Sequence, residues 1–457
     1  AKLADVDPLL ADRVAPYRGG FLPEDRRDIE QRLRSGDLLA VAATNALELG
    51  IDVSGLDAVV LAGFPGTRAS MWQQLGRSGR EGQGGLGILV ARDDPLDTYL
   101  VTHPDALLGK PVEASVFDPG NPYVVAPHLC AAAQELPLSD DDLALFSGDV
   151  ASVVQSLVEA GYLRRRARGV FWTRRERAAD LADIRSSGGS PVRVVEGSTG
   201  RLVGTVDASS SHASVHPGAV YVHLGDTYVV QTLDLEDSVA IVEQQRPDYS
   251  TTAREITDIS VVERREQQRW GGATLNLGTV EVSAQIVGFL KRRLGSGEVL
   301  GEEPLDLPAR HLRTVAVWWT LSDEQIAASG VEQGDVPGAV HAAEHASIGL
   351  LPLFATCDRW DIGGVSTAVH ADTGLLTVFV YDGHPGGAGF AERGFATART
   401  WLTATREAIS SCACDGGCPS CVQSPKCGNG NFPLDKSGAV RLLTTLLEVS
   451  TGPAAHT

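Results

Sequence analysis

The sequence predicts a multidomain chain of mixed α/β and α+β class, and three observations carry that reading. With 457 residues it exceeds what one hydrophobic core serves, at roughly 150 residues per domain. The period of its apolar pattern changes several times along the chain, from alternating strands and helices to helices, then to β-type alternation and back to helix. Five of its seven cysteines crowd into Cys412–Cys427, a spacing that suits a metal rather than a disulfide framework.

Taken in order, residues 1–118 read as a parallel α/β domain. Asp37–Ala43, Ala58–Ala62 and Gly87–Ala91 are short apolar runs of strand length, with helical patterns at Glu24–Leu33 and Ser70–Leu75 between them. Residues 119–185 carry a helical stretch at Val124–Gln134, an N-cap at Ser139, a helix at Val150–Ala160 and a short basic hairpin at Gly161–Thr173. Helices followed by such a hairpin read as a winged helix. Ser186–Ser190 is a linker. Residues 191–320 alternate in short β-type segments with Gly-rich turns, which suggests a small β-barrel-like domain. Residues 321–457 return to helix with a strand at Leu375–Tyr381, the cysteine cluster and an amphipathic stretch at Ser437–Val449. That last portion reads as a zinc-binding α/β domain.

Composition narrows the class of function. A hydrophobic share of 43% with 21% charged residues is that of a globular chain and excludes wholesale disorder. No apolar run approaches the ~20 residues that cross a bilayer, and Ala1–Val14 shows no signal-peptide pattern. A cytoplasmic protein with no membrane partner is expected. The net charge of -19 argues against an acidic partner only on the whole-molecule average, because phosphate is met by local patches.

Such a patch exists. Gly161–Arg177 holds Arg164, Arg165, Arg166, Arg168, Arg174, Arg175 and Arg177 against the single acid Glu176, with Phe171 and Trp172 inside the run. Guanidinium groups interleaved with aromatics suit a surface that tracks a nucleic-acid backbone and stacks bases. The competing reading pairs these arginines with Asp140–Asp142 and packs the aromatics inward. A smaller basic patch lies at Lys291–Arg293, while Trp318 and Trp319 read as core.

The most specific segment is Ala43–Asp52, ATNALELGID, followed by Trp72–Arg80, WQQLGRSGR. Gln73, Gly76, Arg77, Gly79 and Arg80 form Gln-x-x-Gly-Arg-x-Gly-Arg, and arginines three apart on a helix share one face. Glycines beside them let another backbone or a ligand approach closely. A guanidinium aimed at a γ-phosphate stabilises charge that develops in phosphoryl transfer. The pair of segments is similar to motifs V and VI of superfamily-two helicases, which implies a RecA-like domain. By that resemblance Arg80 is the arginine finger, Arg77 a second γ-phosphate contact and Gln73 their support. Asp52 meets the nucleotide ribose, Gly50 allows the turn before it, Gly76 lines the nucleotide, and Thr44 donates to the nucleic-acid backbone. Tyr17–Arg27 resembles the helix-opening segment of the same domain, or is simply a turn and cap.

No Gly-rich loop ending in Gly-Lys-Ser/Thr and no Asp-Glu-x-His or Asp-Glu-Ala-Asp run is present; Gly109–Lys110 is followed by Pro111. The expectation is half of a composite site for ATP with Mg2+, completed by an N-terminal RecA-like lobe, and no ATP hydrolysis by this chain alone.

The cysteine cluster reads CACDGGCPSCVQSPKC. Four thiolates satisfy a tetrahedral structural zinc and leave no catalytic vertex. Cys412, Cys414, Cys418 and Cys421 are the preferred ligands, with Cys427 a core or second-sphere thiol. The set with Cys427 in place of Cys412 is the alternative, and an iron–sulfur cluster would use the same ligands. His341 and His345 stand at i, i+4 around Glu344 in the inverted order His-x-x-Glu-His; lacking a third carboxylate at a clear position, they read as structural, with an enzymatic metal site as the alternative. Tyr381–Gly389 is a Gly-rich turn that reads as a tight structural loop.

Together GFPGTRASMWQQLGRSGR, HAAEHASIGLLPLF, DIGG, YDGHPGGAGFAERGF and the cysteine cluster resemble the MrfA-like helicases over nearly the whole chain. The resemblance implies ATP-dependent 3′-to-5′ translocation on single-stranded or forked DNA and a role in DNA repair. A non-catalytic binding or docking module that keeps the helicase fold is the rival reading.

Overall fold

The computed structural model describes residues 6–48, 56–79, 82, 84–113, 115–182, 190–270 and 273–448. The first domain is built of parallel strand pairs with helices laid against them. Strand β1 (Val14–Tyr17) pairs in parallel with β2 (Ala40–Ala43), with helix α1 (Pro23–Ser35) between them. Pro23 at its N-terminus and the left-handed Gly36 at its C-terminus bound α1, the usual asymmetry of helix ends. Strand β3 (Ala58–Ala62) pairs in parallel with β4 (Leu86–Val90) across helix α2 (Arg68–Leu75), and α3 (Pro95–Thr102) follows. Leu61, Phe64, Met71, Leu96 and Leu100 are the core of this second pair.

The winged helix comprises α4 (Pro122–Glu135), the short α5 (Asp140–Leu143), α6 (Val150–Glu159) and the hairpin β5 (Leu163–Arg166) with β6 (Gly169–Trp172). Leu129, Cys130, Val154, Leu163 and Val170 close its core. Ser139 caps α5 reciprocally with Asp142.

Next comes an open five-stranded sheet of order β8-β7-β11-β10-β9, formed by β7 (Val192–Glu196), β8 (Leu202–Val206), β9 (Val220–His223), β10 (Asp226–Asp234) and β11 (Val239–Gln244). The strand β12 (Tyr249–Trp270) then runs for 22 residues against the 21 residues of β13 (Ala273–Arg293), roughly 70 Å at ~3.3 Å per residue. Charged side chains and three register irregularities mark the edge strand β12, features that discourage pairing with other chains.

The expectation of a barrel-like unit over 191–320, separate from a domain starting at 321, is corrected here. Strand β13 carries β14 (Val299–Pro304) and β15 (Arg310–Leu321), and β15 pairs with β17 (Leu376–Asp382), which pairs with β16 (Ile362–Thr367). Residues 249–321 therefore share one sheet with the C-terminal part, and only 192–244 stand as a sheet of their own. Alternation marks each strand but does not say which distant strand it will meet.

Helices α7 (Val336–Leu350), α8 (Phe390–Ala396), α9 (Ala398–Ser411) and α10 (Lys436–Glu448) cover one face of that sheet. Successive residues of a strand point to opposite faces, so Trp319 fills the helix-covered core while Trp318 packs with Ile259, Val280 and Phe379 on the other side. Both are buried, as expected of core residues. Trp401 on α9 is buried beside Trp319 and donates its indole N–H to the Ser347 carbonyl at 2.9 Å.

Candidate functional site

The first candidate surface lies where the two motif segments meet. Thr67 caps α2 by accepting from the Ser70 amide at 3.0 Å. Glu113 adds a second cap: its carboxylate accepts from the Arg68 and Ala69 amides and pairs with the Arg68 guanidinium at 2.8 Å. Anchored there, α2 turns Ser70 and Gln74 toward Glu48, and Arg77 follows in the turn just past its C-terminus. The Glu48 carboxylate accepts from Ser70 Oγ and, at 3.2 Å, from Gln74 Nε2, while Arg77 donates to the Glu48 carbonyl at 2.8 Å. The Gly76 amide closes the helix C-terminus on the Trp72 carbonyl, 2.8 Å away. Gln73 is exposed beside them, and Thr44 is exposed at the end of β2, its amide donating to the Tyr17 carbonyl. Gly50, Asp52 and Arg80 lie outside the described residues.

The structure thus joins the two segments through Glu48, Ser70 and Gln74, none of which the sequence reading had singled out. Ser70, Gln74 and Arg77 recur at i, i+4 and i+7, a helix-face spacing that would have revealed them once Glu48 was known to face that way. The same Asn45–Glu48 segment lines a cleft of about 1040 Å³ between the first domain and the five-stranded sheet, with Arg18, Arg26, Tyr221 and Thr251. Arg18 donates to the Tyr221 hydroxyl at 2.7 Å.

On the wing, Arg164, Arg165, Arg166 and Arg168 are exposed and form no ion pair among the described residues. Pairing with Asp140–Asp142 is not seen, and Asp142 is spent on capping Ser139. Trp172 departs from expectation. Its half-buried ring packs on the winged-helix core, 6.2 Å from Tyr162, and its Nε1 donates to the Glu176 carbonyl at 3.2 Å. The ring is therefore partly buried on the core while the arginines beside it stay exposed. Arg174 lies 3.6 Å over the Tyr162 ring, a cation–π contact.

The third site is the sulfur cluster. Cys412 Sγ is 3.6 Å from both Cys414 Sγ and Cys418 Sγ, Cys414 and Cys421 are 3.5 Å apart, and Cys418 and Cys421 3.8 Å. A tetrahedron of 2.3 Å Zn–S bonds has S···S edges of about 3.8 Å, so these four sulfurs fit a zinc ion. Gly417, at φ +103°, makes the turn between the pairs where a Cβ would strike the Val422 side chain. Burial raises the Cys414 thiol, but hydrogen bonds with Cys421, Cys412 and Cys418 outweigh it and bring it down to about 7. Lys436 Nζ donates to the Cys412 carbonyl at 2.6 Å and lies 3.5 Å from Cys414 Sγ, which places a cation beside the sulfurs. Cys427 stands apart, 3.4 Å from His341 Nε2.

The Gly-rich turn is structural. Buried Asp382 accepts from the amides of Ala388, Gly389, Phe390 and Ala391, so its carboxylate caps α8. Gly386 and Gly387 adopt φ +76° and +90°, and a Cβ on Gly386 would meet Asn121 Oδ1 at 2.4 Å.

A parallel α/β domain with joined motif segments, a winged helix and a four-sulfur cluster define a superfamily-two helicase portion with a zinc-binding domain. Residues 6–82 match the helicase conserved C-terminal domain, 117–187 the winged helix domain of ATP-dependent helicase HRQ1, and 343–422 the MrfA Zn-binding domain. The chain is 35% identical over 414 residues to the uncharacterized ATP-dependent helicase YprA of Bacillus subtilis, covering 90% of this chain and 54% of that one. It is 28% identical over 465 residues to ATP-dependent helicase HRQ1 of Saccharomyces cerevisiae, covering 96% and 42%. A crystal structure of DUF1998 helicase MrfA bound to DNA superposes with a TM-score of 0.65 at 32% identity, covering 95% of this chain and 57% of that one. The chain is thus similar to the MrfA-like helicases over most of its own length. It spans about half the length of the curated relatives it matches. No helix among the described residues is long and apolar enough to cross a membrane.

Proposed function

We propose that this chain forms the second motor lobe and the DNA-holding domains of an ATP-dependent 3′-to-5′ DNA helicase that acts in DNA repair. The observation that carries the reading is the Arg77–Glu48 hydrogen bond, because it couples a helix that reaches for nucleotide phosphate to a segment whose Thr44 reaches for nucleic acid. Arg80 and Arg77 stabilise charge developing on the γ-phosphate of ATP with Mg2+. Gln73 orients them, Gly76 lets the nucleotide approach, and Asp52, following the Gly50 turn, holds the ribose. No phosphate-cradling Gly-Lys-Ser/Thr loop occurs in these residues, so that loop and the magnesium-binding acid come from another RecA-like lobe, and this chain alone does not turn over ATP.

The wing arginines Arg164, Arg165, Arg166 and Arg168 supply unpaired charge for single-stranded or forked DNA. The likeness to a helicase solved with DNA supports that assignment. Cys412, Cys414, Cys418 and Cys421 hold a structural zinc, whose closed thiolate shell secures the loop beneath α7 and α10. The test is DNA-stimulated ATPase of the complete motor. Loss of turnover in Arg80→Ala and Arg77→Ala with DNA binding retained is expected; full turnover in both would overturn the reading.

A further inference from the structure

We propose that His341, His345 and Cys427 form a second metal site, separate from the four-cysteine cluster, that takes a borderline divalent cation such as zinc. His341 and His345 are one helical turn apart on α7, with ring centroids 4.2 Å apart. Cys427 approaches from the loop that follows the cysteine cluster, and its Sγ is 3.4 Å from His341 Nε2. One donor atom of each of the three residues lies within 4.8 Å of the others. Zinc with bonds of 2.0–2.1 Å to nitrogen and 2.3 Å to sulfur would separate such donors by about 3.3–3.6 Å, so small side-chain adjustments close the set.

Each imidazole is fixed in the form that a metal requires. His341 Nδ1 lies 2.9 Å from the Pro433 carbonyl, and His345 Nδ1 lies 2.8 Å from the Val422 carbonyl. A carbonyl only accepts, so both Nδ1 atoms carry a proton, and Nε2 is the atom of each ring left to face a metal. This is the outer-sphere arrangement that orients metal-bound histidines. The sulfur is prepared as well: Cys427 Sγ accepts from the Asn431 amide at 3.2 Å, which favours thiolate. Asn431 in turn closes the loop by bonding both the amide and the carbonyl of Ser424.

Glu344, between the two histidines, donates nothing to this set. Its buried carboxylate accepts from Ser366 Oγ on β16, which separates the site from the inverted metalloprotease arrangement. His345 is buried, whereas His341 and Cys427 are half-buried, so solvent metal can reach the donors. Two nitrogens and one thiolate suit zinc better than the hard cations magnesium or calcium, and three protein ligands leave a fourth position for water.

Metal stoichiometry decides. The 457-residue chain, equilibrated with zinc chloride and freed of excess ion, is expected to retain two equivalents, and His341→Gln and Cys427→Ser are each expected to retain one. Cobalt(II) substitution would report the same loss as removal of one of two thiolate-to-cobalt absorption components. Retention of a single equivalent by the unaltered chain would overturn the proposal even if a variant failed to fold. So would two equivalents in both variants.

Discussion

Arg77 and Glu48 stand 29 residues apart and are joined by a guanidinium-to-carbonyl hydrogen bond of 2.8 Å, while the Glu48 side chain accepts from Ser70 and Gln74 on the same helix. One residue of the first motif segment therefore sets the rotation of the helix that carries the second. In the complete motor, Arg80→Ala is expected to lower DNA-stimulated turnover by about 10³–10⁵-fold, the range for arginine fingers. Glu48→Ala should lower it less, by letting α2 turn. Steady-state ATPase measured at saturating DNA checks both.

Glu113 and Arg68 give a pH-dependent prediction. Burial raises the Glu113 carboxyl, but the Arg68 amide and guanidinium outweigh it and hold the group below the usual range. A carboxyl with a depressed folded pKa contributes stability above its ordinary value, and that contribution disappears as pH falls through the folded one. Glu113→Gln should therefore be less stable than the parent near neutrality, by about 1–3 kcal/mol, with the gap closing in acid. Thermal unfolding followed from pH 7 downward tests the convergence.

The wing makes a prediction about salt. Replacing Arg164, Arg165, Arg166 and Arg168 by alanine should weaken binding to single-stranded DNA of any sequence. It should also flatten the dependence of log K on log salt by about 0.7 for each lost phosphate contact. Trp172→Ala should instead cost folding stability with little change in slope, since its ring packs inward. Fluorescence anisotropy across a salt series separates the two.

The sulfur cluster predicts a cooperative loss. Cys421 and Val422 are fully buried in the core that α7, α9 and α10 share. Removing zinc by chelation, or making Cys418→Ser, should loosen those helices and release protons back onto thiolates on metal loss. Metal content followed with far-ultraviolet circular dichroism reads both effects, and an unchanged spectrum in the metal-free chain would contradict the structural role.

What the sequence disclosed follows the range of the interactions. The cysteine spacing, the Ser139 cap, the wing and the paired motif segments are local, so residue order alone exposed them. Trp318 and Trp319 were legible as core, although not that they serve opposite faces. Contacts between distant residues were hidden. Glu113 reaches back 45 residues to Arg68, and Cys427 reaches 86 residues to His341, so the histidine pair looked as though it lacked a third partner. The pairing of β15 with β17 also erased a domain boundary that a change of pattern near residue 321 had suggested. The half-buried position of Trp172 was not legible either, because an aromatic within a basic run reads the same whether its ring faces outward or inward.

Asn121 caps α4 through its carbonyl oxygen and, with its amide, donates to the carbonyls of Pro385 and Gly387 at 2.8 and 2.7 Å. One side chain thus fastens the root of the winged helix to the loop that Asp382 caps. A load applied to the winged helix would be passed through that fastening into the sheet behind the sulfur cluster, rather than dissipated at a slack joint.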